Sequence, residues 1–296
     1  MKDIIVGIGE ILWDVLPTGK VLGGAPANFA YHISQLGFDG FAVSAIGNDE
    51  LGEEIIENLR SKNMNFIIER VPFPTGTVKV TLNEVGVPCY EICENVAWDN
   101  IPFTEEMKKL ACKTRAVCFG SLAQRHPVSR ETIHLFLDNV PEETLKIFDI
   151  NLRQHFYSKE LIDHSLKRCN ILKINDEEII LLAQLFDWHE KSDIEICKKL
   201  LQIYPLEMIV LTKGTNGSCV VSSLQISLKS TPLVEVADTV GAGDAFTAGF
   251  VAGILKGKSI SEAHELAVEI SAYVCTQQGA MPTLPQSIIS KLANSF

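Results

Sequence analysis

No C-x-x-C pair occurs anywhere in the 296 residues; the 8 cysteines are scattered, and Cys89 and Cys93 stand nearest to one another. Zinc clusters and disulfide frameworks need tighter, paired spacing, so reduced thiols in a cytoplasmic protein are expected. Cations are also scarce: 26 Lys and Arg against 37 Asp and Glu give a formal net charge of -11. No basic run interrupts that acidity, and neither nucleic acid nor an anionic membrane is expected as a partner. No apolar stretch approaches the length that crosses a bilayer. The opening MKDIIVGIGEILWD turns acidic too early for a secretory leader and reads as a strand. Asn216-Gly217-Ser218 has the form of a glycosylation acceptor, but a cytoplasmic chain would not be modified there.

Two familiar nucleotide motifs are incomplete. Gly7-Ile8-Gly9 begins like a dinucleotide fingerprint, yet Leu12 stands where the third glycine belongs. Gly257-Lys258-Ser259 ends like a phosphate-binding P-loop, yet Ala252 stands at its first glycine position, inside a helical stretch rather than after a strand. Neither a Rossmann dehydrogenase nor a P-loop kinase fits.

What the sequence does hold is 46% hydrophobic residues, enough to bury a sizeable core in one large α/β domain or two modest ones. Apolar, β-branched runs at Lys2–Ile8, Phe41–Ile46, Ala116–Phe119, Leu145–Ile150, Ile171–Ile174 and Met208–Leu211 read as buried strands. Between them, Asn28–Leu36, Leu51–Lys62, Ser158–Lys167, Asp176–Phe186 and Ile194–Ile203 carry helical spacing. This alternation predicts an α/β fold, a mostly parallel sheet with helices on both faces. Ligands then bind beyond the carboxyl ends of the strands. One stretch breaks the rhythm: Gly76–Leu82 and Val87–Cys93 flank Asn83-Glu84-Val85-Gly86 like a β-hairpin. It reads either as a lid over a pocket or as an edge extension of the main sheet. No repeat or linker divides the chain.

The most informative string is Asp238-Thr239-Val240-Gly241-Ala242-Gly243-Asp244, which runs into the small and apolar residues of a buried helix. Gly241 and Gly243 let the backbone turn tightly and aim successive N–H groups at one spot, and the helix adds the positive end of its dipole. Such a turn is an anion hole for a phosphoryl group in transfer, and Asp244 beside it can take a proton from an attacking hydroxyl. A bare G-x-G-D would otherwise be a glycine turn with a capping Asp.

The full string resembles the phosphotransfer signature of the ribokinase-like carbohydrate kinases, and further elements follow in order over nearly the whole chain. Gly23-Gly24-Ala25-Pro26-Ala27-Asn28 resembles the family's sugar-binding signature, and Asp14 ahead of it the carboxylate that grips sugar hydroxyls. Asp149-Ile150-Asn151-Leu152-Arg153 is similar to a D-x-N-x-R element of fructokinases. Asn175 and Glu178 match an N-x-x-E motif that organises magnesium and phosphate through water, and also have the spacing of a helix capping box. Thr212, Gly214 and Gly217 resemble a turn on the nucleotide side. Asp238, Thr239, Ala280 and Thr283 resemble a monovalent-cation site, with Thr283 where the family carries serine. Taken singly, Gly23-Gly24 could be a plain turn and Arg153 a surface ion-pair residue.

The resemblance implies a single kinase domain over residues 1–296 with a small β lid from about 11–22 and 71–99. It implies ATP and Mg2+ as cofactors, K+ as an activator, a small sugar as the partner, and a lid through which two chains could pair. In the implied chemistry Asp244 is the base, Val240–Gly243 form the oxyanion hole, and Asp14, Gly23, Gly24, Asn28 and Arg153 hold the sugar. The regions GEILWDVLP and FDINLR look most like fructokinases. Between Val71 and Asp99 the only base is Lys79, against Glu84, Glu91, Glu94 and Asp99, which favours a neutral sugar over a phosphosugar. A 2-keto-3-deoxy sugar-acid kinase or another ketose kinase is the alternative within enzymes. A sugar-binding regulator without turnover is the alternative outside them, and such a protein could dispense with Asp244.

Overall fold

The structure, a computed structural model, describes residues 2–16, 19–82, 88–190 and 192–293. Its strands are β1 (Ile4–Ile8), β2 (Leu12–Leu16), β3 (Gly19–Gly23), β4 (Asp39–Gly47), β5 (Asn65–Val71), β6 (Gly76–Leu82) and β7 (Pro88–Ile92). They continue with β8 (Thr114–Phe119), β9 (Leu145–Asp149), β10 (Ile171–Asn175), β11 (Met208–Thr212), β12 (Ser218–Ser222) and β13 (Ile226–Lys229). Nine of them form one sheet in the order β13-β12-β11-β10-β9-β8-β1-β4-β5. From β11 to β5 every pairing is parallel, while β12 and β13 add an antiparallel edge that the periodicity did not reveal.

The parallel strands are buried on both faces, as their continuous apolar runs require. Val6, Phe148, Leu172 and Ile209 pack on one side, and their neighbours Ile5, Ile147, Ile171 and Val210 on the other. Side chains of a strand alternate between faces, so a run with no polar gaps must be covered twice. The five expected helices are present, within a few residues at each end. Four of their starts are marked by a side-chain cap. Asp49, Ser158 and Ser192 each accept a backbone N–H at the N-cap, and Asn175 with Glu178 closes a full capping box.

The hairpin is no extension of the main sheet. β6 and β7 pair antiparallel with each other, and β6 pairs parallel with β2, giving a separate four-stranded sheet ordered β3-β2-β6-β7. The expected turn at Asn83-Glu84-Val85-Gly86 lies outside the described residues. Behind the small sheet Arg125 donates to both carboxylate oxygens of Asp99, at 2.7 and 2.9 Å, with its guanidinium 4.0 Å from the Trp98 ring. Asp99 therefore belongs to the scaffold and presents no charge to a ligand. No helix among the described residues is long and apolar enough to cross a membrane.

Candidate active site

The segments beyond the carboxyl ends of β1, β8 and β9, the carboxyl end of β10, the small sheet and the turn at Gly241 surround an open cavity of about 420 Å³. Its floor is the start of the helix Ala242–Leu255, which is buried nearly throughout. Gly241 caps that helix with φ 76°, and a Cβ there would lie 2.6 Å from the Ala280 side chain. Both facts demand glycine: the left-handed backbone and the lack of room. Val240, Gly241, Gly243 and Asp244 line the cavity, with Thr239 beside them.

Asp244 sits in the first turn of the helix, and its Oδ2 accepts a 2.7 Å hydrogen bond from Asn28 Nδ2. Loss of water pushes its carboxyl up to about 7, and the charge of Asp149 adds to that; the Asn28 bond and the cations of Lys173 and Arg153 only partly offset it. A carboxylate poised near neutrality suits proton abstraction.

On one side of Asp244 stand Asp14, Gly23, Gly24, Asn28 and Arg153. Gly24 has φ 120°, and a Cβ on it would fall 2.5 Å from the Glu10 carbonyl oxygen, so the chain enters the helix Ala25–Gln35 with no space to spare. Burial raises the Asp14 carboxyl above its usual range, opposed by Arg153. Arg153 itself is exposed at the cavity mouth, two residues after Asn151, which takes the left-handed φ of 40° just beyond β9. Asparagine tolerates that region better than bulkier residues do, and such kinks gather at functional sites. From the small sheet, Leu12, Val78 and Ile92 reach the cavity, whereas Lys79 and Glu91 face each other across strands on the exposed side. The charges counted along residues 71–99 thus do not all border the ligand space. Among the described residues, the wall that the small sheet gives the cavity is apolar apart from Asp14.

On the other side lie Asn175 and Glu178. Glu178 Oε1 accepts from the Leu152 N–H at 2.9 Å and Oε2 from the Asn175 N–H at 3.0 Å. Thr212 is the register neighbour of Asn175 on the adjoining strand. Gly214 and Gly217 continue the chain beyond it outside the cavity lining, and the Gly217 N–H donates to Thr231 Oγ1 at 3.2 Å. Asp238, Ala242, Ala280 and Thr283 also lie behind the lining. Asp238 bridges the two loops, accepting from the Val240 N–H and the Gly279 N–H, each at 3.0 Å.

Two charged residues of the site were not singled out from sequence. Lys173, in the middle of β10, is 9% exposed and pairs with Asp149 at 3.1 Å on the neighbouring strand. Its ammonium would stand 3.2 Å from a Cβ on Gly243. Burial alone would lower its pKa, but Asp149, Glu178 and Asp244 outweigh it and raise it, so the cation is secure. Thr247 completes the cluster, donating to Asp149 Oδ2 at 3.2 Å. Glu10, 4% exposed, is pushed up to about 7 by burial and keeps Oε2 without a partner. A lysine inside a predicted buried strand and an acid directly after another were the available signals, since such charges persist only when paired or functional.

A family model described as pfkB family carbohydrate kinase matches residues 13–287. An ATP-dependent 6-phosphofructokinase of Thermoanaerobacterium thermosaccharolyticum is 28% identical over 302 residues, 96% of this chain and 91% of that one. The fructokinase of Escherichia coli is 27% identical over 299 residues, 94% of this chain and 95% of that one. Among solved structures, an uncharacterized sugar kinase of Pyrococcus horikoshii in complex with ATP superposes with a TM-score of 0.81 at 25% identity, covering 98% of this chain and 99% of its own. A fructokinase of Xylella fastidiosa with bound ATP gives 0.83 at 20% identity, covering 99% and 98%, and shares the fold. That fold is the ribokinase-like α/β architecture expected from the sequence, and the chain belongs to the pfkB family of carbohydrate kinases.

Proposed function

We propose that this chain is an ATP-dependent kinase that transfers the γ-phosphoryl group to a hydroxymethyl hydroxyl of a free hexose, D-fructose above others, yielding fructose 6-phosphate. The carrying observation is Asp244: a carboxylate near neutrality at a helix N-terminus, flanked by sugar-type donors on one side and by Lys173 and Asn175 on the other. ATP as donor is supported by the ATP held in the P. horikoshii structure.

In this reading Asp14, Asn28 and Arg153 hold the sugar, and Asp244 takes the proton as the hydroxyl oxygen bonds to the γ-phosphorus. The bond to the bridging oxygen breaks, and ADP leaves. Charge on the phosphoryl oxygens meets the Val240–Gly243 amides, the helix dipole and the Lys173 ammonium. The small sheet acts as a lid that excludes water. Thr212, Gly214 and Gly217 border the nucleotide.

Among the described residues no three His, Cys, Asp or Glu side chains cluster as a metal cage. Glu178 already holds two backbone N–H groups, so the donors fit magnesium carried on the nucleotide and touched through water by Glu178 and Asn175. Such an ion supplies neutralisation of the phosphate oxygens. Asp238, Thr239, Ala280 and Thr283 would border a monovalent cation, with the Ala280 and Thr283 carbonyls also accepting from His32 and from Tyr273 Oη.

Free fructose is favoured because, among the described residues, the cavity's two cations leave little for a second phosphate: Lys173 is committed to Asp149, leaving Arg153. A phosphate beneath Leu12, Val78, Ile92 and Asp14 would lose water without a paired cation, which costs several kcal/mol. Arg153 also supports the second reading, a keto sugar acid whose carboxylate it would pair. The test is a panel of fructose, ribose, adenosine, fructose 6-phosphate and 2-keto-3-deoxygluconate with Mg-ATP. Fructose should give the highest kcat/KM, and Arg153→Ala should cost it about 1 kcal/mol; loss of a carboxylate partner would cost several times more. Preference for the phosphosugar or the keto acid would overturn the fructose assignment and leave phosphotransfer standing. Absence of turnover on every sugar would favour a regulator.

A further inference from the structure

The helix Ala25–Gln35 is largely buried, yet it carries a polar stripe at i, i+4 and i+7. Residues at that spacing share one face of a helix. Asn28 donates to Asp244 Oδ2 at 2.7 Å; His32, fully buried, lies with Nε2 2.9 Å from the Ala280 carbonyl oxygen; Gln35 Oε1 accepts from the Leu284 N–H at 3.3 Å. A ring nitrogen at that distance from a carbonyl must carry the proton, so Nε2–H is the donor. Ala280 is the residue against which Gly241 packs, and its neighbour Gly279 is tied through Asp238 to Val240. The backbone of the anion hole therefore rests on a loop from the far end of the sequence. The anchor of that loop on the sugar-binding helix is a buried histidine.

We infer that His32 is a positioning residue for phosphoryl transfer: through the Ala280 carbonyl it sets the turn at Gly241, coupling the helix that bears Asn28 to the amides that receive the phosphoryl group. This rests on the phosphotransfer reading above. Without the bond, the loop loses its tether at Ala280, next to the Asp238 bond at Gly279, while Tyr273 and Gln35 still hold Thr283 and Leu284, and the Gly241 turn can drift. Displacement of about 1 Å at such a site costs on the order of a hundredfold in rate.

The test compares two polar variants of different reach. The Gln side-chain nitrogen stands near the place of Nε2, and the shorter Asn cannot reach it. His32→Asn should lower kcat about ten- to a hundredfold with the sugar KM within twofold of the original, and His32→Gln should recover most of the loss. Amide hydrogen exchange should rise in the segment 238–245 for the Asn variant and remain near the original for Gln. Equal kcat in the Asn variant, or no difference between Asn and Gln, overturns the inference. So does a fall in thermal stability with kcat unchanged well below the transition, which marks a purely structural histidine. If the unaltered protein turns over no sugar, the phosphotransfer reading fails by itself, and the exchange comparison still decides whether His32 sets the turn.

Discussion

Replacing Asp244 by asparagine separates chemistry from stability, because the native carboxylate is held against its own preference. Its carboxyl is shifted from an ordinary 3.8 to about 7, chiefly by burial and then by Asp149. A raised folded pKa means that the folded state prefers the protonated form. The penalty is absent below about pH 4, grows as the pH rises toward 7, and stays constant above it. Each pH unit corresponds to about 1.4 kcal/mol, so ionised Asp244 destabilises the fold by up to about 4 kcal/mol at pH 8. Asparagine removes the charge and keeps an oxygen to accept from Asn28 Nδ2. Asp244→Asn should therefore raise Tm by roughly 2–8 °C at pH 8, and the gain should shrink toward zero as the pH falls to 4. The same change should lower kcat by at least ~10²-fold, the usual scale for loss of a general base. In the unaltered enzyme kcat/KM should rise with pH through about 7, and that limb should vanish in the variant. Calorimetry at pH 4, 6 and 8 with initial rates over the same range measures both arms. A near-normal kcat refutes the base assignment. A pH-independent change in Tm refutes the electrostatic argument.

Gly241→Ala should abolish most activity, since its Cβ would meet Ala280 at 2.6 Å and φ 76° is strained for alanine; a kcat within threefold of the original would show that the turn does not shape the anion hole. Arg125→Met should cost about 3–5 kcal/mol in denaturant unfolding by stranding the buried Asp99 carboxylate, and Asp99→Asn in the same chain should restore part of it. Potassium should raise the rate by ordering the loop that carries Ala280 and Thr283 against Asp238, so equal rates in potassium and in a large organic cation at matched ionic strength would count against that site.

The elements that were legible from sequence are those in which one short string carries its own geometry. Gly241-Ala242-Gly243-Asp244 encodes turn, helix start and the proposed base within four residues, and Asn175 with Glu178 encodes a cap within one turn of helix. The apolar runs of β1, β8, β9 and β10 announced burial on both faces. Partnership between distant segments has no such signature. β2 meets β6 across some sixty residues, and only that pairing turns the hairpin into part of a second sheet. The charge count along residues 71–99 does not describe the ligand space, because alternation aims Lys79 and Glu91 outward and pairing buries Asp99 with Arg125. Lys173 illustrates the deeper limit. Its meaning depends on Asp149, which lies beside it only because β9 and β10 are adjacent and in register. Once they are, a buried lysine that would be intolerable alone becomes a fixed cation beside Gly243. The sheet thus does more than support the proposed anion hole: the carboxylate at the end of β9 secures the positive charge, and the same carboxylate pushes up the carboxyl of Asp244. One ion pair between neighbouring strands therefore bears on both the proposed phosphoryl site and the basicity of the group beside it, which requires Asp149→Asn to alter the two together.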